Sequence, residues 1–211
     1  MLRAILGIVT AIGIVATMPV AAQQSGGPRL PLVQDDTSDP DAQALFKELR
    51  DRGTRPLNLH RVYSNAPKLA RATLALAQAL RYDADVSRAD KELIILRATQ
   101  LARGDYQFGQ HRRLAISCGI TEEQIESLPR WRDSKLFSDR QRAVLAFADA
   151  MASPEGVDGA TFDAMKAFYS NKEIVELTMN AAYYGASSQI SRTLGITPQG
   201  NPKGGSYGAC S

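Results

Sequence analysis

Helix-start signals recur along this chain, and apolar residues three or four positions apart follow each of them. The side chains that can accept a hydrogen bond from the backbone of a first helical turn are those of Asp39, Ser87, Thr121, Ser138 and Asp158. No stretch alternates polar and apolar residues for long enough to form a convincing strand. The sequence therefore predicts an all-α protein.

The apolar pattern also predicts how individual helices are placed. The helix after Ser87 is apolar on more than one face, which indicates a central position in the fold. The longest helix is predicted over about 172–194, with Asn171 as its cap and Gly195 as its stop. The helix before Ser87 is predicted to face the core through residues at helical spacing: Leu69, Ala72, Leu76 and Leu80.

The first 22 residues have the anatomy of a secretory signal peptide. Arg3 precedes an apolar run over 5–18, and small residues precede a cleavage position after Ala22. The alternative is an uncleaved membrane anchor, but a spanning helix needs roughly twenty apolar residues and this run is shorter. We therefore expect a periplasmic or secreted protein that is not attached to a membrane after cleavage.

The rest of the chain divides by composition. Residues 23–40 and 197–211 are rich in glycine, proline and polar residues, and are predicted to be a flexible leader and a flexible tail. Residues 41–196 are long enough for one helical domain with its own core. The formal net charge is +3, with basic and acidic residues interspersed, which argues against nucleic acid as a partner.

The two cysteines leave two interpretations open. In an oxidising compartment Cys118 and Cys210 could form a disulfide, since a loose tail can reach many places. Spacing alone does not establish the geometry that a disulfide demands. We favour the alternative, in which Cys118 is a small buried residue and Cys210 is incidental.

His111, one of two histidines, lies in a helical segment, with Glu92 one helix upstream. A histidine that titrates near neutrality and a carboxylate that orients it are the minimal parts for proton transfer without a cofactor. Gly104, Gln107 and Ala115 share the helix face of His111. The small residues of that face would let a ligand or another backbone approach.

Several segments of the chain resemble the carboxymuconolactone decarboxylase family. They are 91–97 (KELIILR), 106–115 (YQFGQHRRLA), 119–123 (GITEE) and the later stretch 136–149. That family is all-helical, oligomeric and related to alkylhydroperoxidase-D-like proteins. The resemblance covers roughly 42–195, and implies an alkylhydroperoxidase-D-like helical bundle that assembles as a homo-oligomer, whether a dimer, trimer or hexamer.

The resemblance can be carried over residue by residue. The peroxidase branch has cysteines at the seventh and fourth positions before its histidine, where this chain has Gly104 and Gln107. A disulfide-cycling thiol peroxidase is therefore rejected, because that route needs both thiols. The decarboxylase-like branch commonly has a glutamate where Gln107 stands, and an amide cannot take a proton. Glu92 and His111 match the remaining glutamate and histidine of the family.

These matches imply a cofactor-free lyase of the decarboxylase type, or an isomerase, that acts on a small lactone or keto or enol acid. The catalytic residues would be His111 and Glu92. The residues predicted to bind the substrate are Gln107, Tyr106, Phe108 and Tyr184. No metal is expected, because the two histidines lie far apart and neither has a cysteine at a short ligand spacing.

A second class of function fits the same residues. The chain could be a non-catalytic oligomer that binds a small molecule or serves as a scaffold, having kept the fold and lost the chemistry. Under this interpretation His111 is a core histidine with its hydrogen bonds satisfied, and Glu92 forms an internal ion pair with Arg97. His60 is interpreted as a surface or packing residue.

Overall fold

The computed structural model describes residues 27–197 and Cys210, and all regular elements in that part are helical. The signal peptide predicted for 1–22 lies outside the described residues, as does most of the predicted tail. The α-helices are α1 (Pro40–Asp51), α2 (Asn58–Tyr63), α3 (Pro67–Gln78), α4 (Arg88–Leu101), α5 (Asp105–Ser117), α6 (Glu122–Ser127), α7 (Asp139–Ala152), α8 (Gly159–Lys166) and α9 (Asn171–Thr193). A π-helical turn, Ala79–Asp83, continues α3, and a 3-10 turn, Leu128–Arg130, follows α6. The predicted all-α class is confirmed.

Most helices begin where the capping residues predict. Side-chain oxygens accept backbone hydrogen bonds from the first turn at all five predicted positions named for them: Asp39, Ser87, Thr121, Ser138 and Asp158. Helix α9 starts with a different cap from the one predicted. The Ser170 hydroxyl accepts from the Glu173 N–H, and the Glu173 carboxylate accepts from the Ser170 N–H. Asn171 is therefore the first residue of the helix and not its cap.

Helix α4 occupies the centre of the fold, as its apolar pattern predicts. Its residues from Asp90 to Thr99 are all buried, and α5, α7 and α9 pack around it. Leu93, Ile94 and Leu96 are fully inaccessible to solvent. Burying each such side chain contributes about 1.5–3 kcal/mol to folding. The central position of α4 holds its side chains in place against those of α5 and α9.

Helix α3 does not face the core through the residues predicted to do so. Leu69 is 71% exposed, Leu76 is 37% exposed, and Ala72 is exposed as well. Leu80, in the π-helical turn, is buried as predicted. The inward side of α3 instead carries Ala70 and faces a cavity. Helical spacing identifies an apolar face but not what covers it. In α3, the apolar face that carries Leu69 and Leu76 is exposed.

The described part of the predicted leader is held against the helices. The Arg29 N–H donates to the Leu194 carbonyl at 2.9 Å, and the Val33 N–H donates to the Arg61 carbonyl at 3.3 Å. Val33 also packs against the apolar side chains of α1. From residue 27 onward this segment is therefore hydrogen-bonded to the end of α9 and to α2. Residues 23–26 lie outside the described part.

The two cysteines form a disulfide, so the interpretation favoured from the sequence is wrong. The Cα atoms of Cys118 and Cys210 are 5.0 Å apart. Cys118 follows the last residue of α5 and is only half-buried, so its sulfur atom is accessible to Cys210. Cys210 is thereby bonded next to the end of the helix that carries His111.

None of the helices in the described ranges is long and apolar enough to cross a membrane.

Candidate functional site

A cavity of about 400 Å³ lies between the first three helices and the pair α5 and α9. This volume is within the usual range for sites that bind small molecules. Its aromatic lining consists of Tyr63, Tyr82, Tyr106, Tyr183 and Tyr184. Its polar lining includes His60, Arg81, Gln107, Gln110 and His111, and leucine and alanine side chains from α1 and α3 complete much of the remaining wall. An apolar cavity with a few polar groups is typical of a ligand site.

Glu92 and His111 meet because α4 and α5 pack side by side. Glu92 Oε2 lies 2.7 Å from His111 Nδ1, the glutamate is 0% exposed, and the histidine lines the cavity. An ionised carboxylate can only accept a hydrogen bond, so Nδ1 carries a proton and, in the neutral imidazole, Nε2 holds a lone pair. The contact therefore orients His111 as a base towards a molecule in the cavity.

Positive charges around Glu92 keep it ionised. Arg88 Nη2 lies 2.7 Å from Glu92 Oε1, one helical turn away. Burial raises the pKa of the Glu92 carboxyl, but His111, Arg88 and Arg81 together outweigh that effect and hold the pKa below its ordinary value. Arg97, which the sequence offered as a partner for Glu92, instead pairs with Asp149 at 2.5 Å.

Tyrosine rings pack against the imidazole. The rings of His111 and Tyr184 meet edge to face, with centroids 4.4 Å apart, and Tyr183 stacks in the same way on Tyr184 at 4.9 Å. Burial, with smaller effects from Tyr183 and Glu92, raises the pKa of the Tyr184 phenol, so it stays neutral. The two tyrosines thus restrict the orientation of the imidazole from one side while Glu92 fixes it from the other.

Three of the four residues predicted to bind substrate line the cavity. They are Tyr106, Gln107 and Tyr184. Gln107 is buried, and its Nε2 donates to the Ser187 hydroxyl of α9 at 2.7 Å. Phe108 lies elsewhere, half-buried against the core cluster built around α4.

The small residues of α5 serve contacts between helices. A Cβ atom on Gly104 would overlap the side chain of Ser188. This glycine therefore lets α9 approach closely. Ala115 is fully buried in the main core. Of the two roles that the sequence left open for these positions, the structure supports the approach of another helix.

Sequence reasoning missed two polar residues of the site. Arg88 had a recognisable signal, because it stands four residues before Glu92 on the same helix. His60 had a weaker signal, three residues after Leu57 at the start of α2. It is 8% exposed, lines the cavity, and its Nδ1 accepts from the Leu57 N–H at 3.0 Å.

Among residues 27–197 and Cys210, no group of three or more histidine, cysteine, aspartate or glutamate side chains is placed to hold a metal ion.

Comparison with protein families assigns the middle of the chain. Residues 67–150 match the carboxymuconolactone decarboxylase family. The matched range runs from the start of α3 to near the end of α7, and so includes both Glu92 and His111. Helices α1, α2 and α9, which complete the cavity, lie outside the matched range. No curated protein sequence matches the chain significantly.

Solved structures share the fold at low sequence identity. A peroxidase-related protein from Ralstonia eutropha JMP134, with an alkylhydroperoxidase core, is 20% identical with a TM-score of 0.69, over 82% of this chain and 92% of that one. A peroxidase-related protein from Silicibacter sp. TM1040 is 16% identical with a TM-score of 0.68, over 83% and 95%. The debrominase Bmp8, bound to 2,3,4-tribromopyrrole, is 20% identical with a TM-score of 0.65, over 81% and 92%. At these identities the likeness concerns the fold alone.

Proposed function

We propose that the chain is a cofactor-free enzyme with general acid/base chemistry, because residues 67–150 match the carboxymuconolactone decarboxylase family and the fold is shared with an alkylhydroperoxidase core. Its substrate is a small lactone or a keto or enol acid, and the reaction is a decarboxylation or an isomerisation. The observation that carries the proposal is the 2.7 Å contact between buried Glu92 and His111 at the wall of the cavity. A buried carboxylate that orients a histidine is a common device for proton transfer.

His111 moves the proton in either reaction. In an isomerisation, Nε2 removes a proton from the carbon next to a carbonyl and returns it at another position. In a decarboxylation, Nε2 takes the proton of the substrate's carboxyl group, and the electrons of the broken C–C bond pass into a conjugated carbonyl as carbon dioxide leaves. The imidazolium then supplies the proton that the carbon takes up. Glu92 stabilises the imidazolium through Oε2, and general acid/base catalysis of this kind contributes about 10²–10⁴-fold to a rate.

Gln107 holds the substrate instead of exchanging a proton with it. Its amide nitrogen carries two hydrogens, and one of them is donated to Ser187. The other remains for a carbonyl or carboxylate oxygen of the substrate. Tyr106 and Tyr184 supply the aromatic walls against which an unsaturated ring packs.

A non-catalytic binding or scaffold protein is the second candidate. The observation that favours it is Gln107, which replaces an ionisable residue of the family by an amide and is engaged with Ser187. Under this alternative the cavity binds the same class of small oxygenated molecule and releases it unchanged.

Turnover on a panel of lactone and keto acids separates the two candidates. Carbon dioxide release and absorbance changes would be followed for the mature protein, His111→Ala and Glu92→Gln, with circular dichroism as a check of folding. Ser117→Ala is the matched control, since Ser117 is exposed on the same helix and does not line the cavity. We expect a loss of 10²-fold or more in His111→Ala and little change in the control. Turnover by the folded His111→Ala variant at the wild-type rate would exclude this mechanism, and binding without turnover by the wild type would favour the second candidate.

We also propose that the protein is exported. The signal-peptide pattern of residues 1–22 motivates this, and the Cys118–Cys210 disulfide supports it, because such bonds persist in oxidising compartments. N-terminal sequencing of the protein from a periplasmic or secreted fraction should give Gln23 as the first residue. Recovery only in the cytoplasm, with Met1 retained, would contradict export.

The outward apolar face of α3 supports a homo-oligomer. Leu69 and Leu76 lie on this face, and Tyr82 follows in the π-helical turn with 62% exposure. Apolar surface of this kind is usually covered by a partner. Light scattering should give a multiple of the monomer mass, and Leu69→Lys should lower it; a wild-type monomer would exclude the assembly.

A further inference from the structure

A second imidazole lies in the cavity wall. His60, on helix α2, is buried and lines the same cavity as His111. Its Nδ1 accepts a hydrogen bond from the Leu57 N–H at 3.0 Å, at the first turn of α2. A backbone N–H is always a donor, so Nδ1 of His60 must be unprotonated.

The proton of His60 therefore resides on Nε2. Burial, with a smaller effect from the charge of Arg61, lowers the pKa of His60 to about 4. The ring is thus neutral near neutral pH, with an N–H on the edge opposite to the start of its helix. Because the Nδ1 edge is turned to Leu57, the Nε2 edge is the one left for the cavity.

The two histidines consequently present opposite hydrogen-bonding groups. His111 donates a hydrogen bond from its Nδ1–H to Glu92 and, in its neutral form, keeps a lone pair on Nε2. His60 keeps its lone pair for the backbone and carries its proton on Nε2. One imidazole can accept from a ligand, and the other can only donate to it.

We propose that His60 is a substrate-binding residue whose Nε2–H donates a hydrogen bond to the ring or keto carbonyl oxygen of the substrate while His111 moves the proton. This inference rests on the proposed function and names a further residue of its site. A neutral donor placed at a carbonyl stabilises the negative charge that develops there as the enolate forms. The hydrogen bond needs no proton transfer from His60, so the ring returns unchanged after each turnover.

Two substitutions separate this role from the structural one. In His60→Asn, the side-chain oxygen can take the place of Nδ1 and accept from the Leu57 N–H, but the distal donor is lost. In His60→Gln, the longer amide can place an N–H where Nε2 was, but the contact with Leu57 is lost. The first variant keeps the helix start and the second keeps the donor, so each is the matched control of the other.

Binding of two carboxylate probes to these variants tests the proposal. The probes are 5-oxotetrahydrofuran-2-carboxylate and tetrahydrofuran-2-carboxylate, which differ by one ring carbonyl, and their affinities would be measured by NMR titration. We expect His60→Asn to bind the lactone about tenfold more weakly than the wild type, as the loss of one hydrogen bond predicts. His60→Gln should stay close to the wild type, and the ether probe should bind all three proteins alike.

Each other result overturns the proposal. Unchanged lactone affinity in His60→Asn would leave His60 only its role at the start of α2. Equal losses in both variants would place the effect in the fold and not in the donor, and a wild type that binds neither probe would exclude the carbonyl as the acceptor. None of these readings needs turnover, so failure of this inference is distinguishable from failure of the acid/base mechanism, which the His111→Ala assay reports.

Discussion

At the scale of the residue, the neighbours of Glu92 determine the ionisation of its carboxyl group, and this carboxylate orients His111. Burial raises the pKa of Glu92, whereas His111 and, to a smaller extent, Arg88 lower it. We expect Arg88→Met to raise the pKa of Glu92, so that activity on the acid side of the pH profile is lost at higher pH than in the wild type. Arg88→Lys keeps the charge and is the control. A pH profile of kcat that is identical for wild type and Arg88→Met would contradict this role.

His60 makes stability depend on pH. Its pKa is lowered from 6.5 to about 4 on folding, so the unfolded chain binds the proton more readily. The stabilising contribution is present above pH 6.5 and is lost as the pH falls towards 4. At ~1.4 kcal/mol for each pKa unit, the loss is about 3 kcal/mol in the free energy of unfolding. Urea titrations from pH 7 to pH 4 should show this decline in the wild type and a flatter profile in His60→Asn; equal slopes would contradict it.

Residue types predicted only part of the site. Glu92 and His111 were identified because their spacing matches a family pattern, and the sequence also identified Gln107. The role of His60 depends on where α2 lies against α5 and α9, and no local pattern specifies that position. Phe108, predicted together with Gln107, does not line the cavity and packs against the core cluster around α4.

At the scale of the element, the contact between α5 and α9 depends on a missing side chain. Gly104→Ala would press a Cβ atom against Ser188, whereas Gly109, on the same helix, has nothing within 4 Å of such an atom. We expect Gly104→Ala to lower the free energy of unfolding by about 1–3 kcal/mol. Gly109→Ala should leave it unchanged or raise it by up to ~1 kcal/mol, because alanine favours a helix over glycine.

A double-mutant cycle tests the cause. In a Ser188→Gly background the same Gly104→Ala substitution should cost less, since the obstructing side chain is gone. Denaturation with urea measures all four proteins. An equal cost in both backgrounds would place the origin of the destabilisation elsewhere than in this contact.

The sequence predicted the beginnings of helices better than their orientations. A cap such as Ser138 acts on its own helix, so its effect can be read locally. The direction in which α3 turns its leucines depends on the helices that cover its other side. Leu69 and Leu76 therefore satisfied the spacing of a core face and still lie outside.

At the scale of the whole molecule, the disulfide closes a long loop. Cys118 and Cys210 are 92 positions apart, so the bond restricts the unfolded chain strongly. We expect Cys210→Ser to lower the free energy of unfolding by about 2–4 kcal/mol. Chemical denaturation with and without reductant measures this: reductant should destabilise the wild type and leave Cys210→Ser unaffected. Equal stability of the oxidised wild type and the variant would contradict the role of the bond.

The same disulfide determines which part of the chain carries a mechanical force. A force applied at the carboxyl terminus is passed at Cys210 to Cys118, and so reaches the end of α5 without stretching the chain between them. Helices α6 to α9 are shielded from extension as long as the bond is intact. Reduction of the bond under tension would let the segment between the two cysteines extend, by roughly 300 Å for a chain at ~3.3 Å per residue. The helix that bears His111 is thus the point at which the molecule resists a pull on its tail.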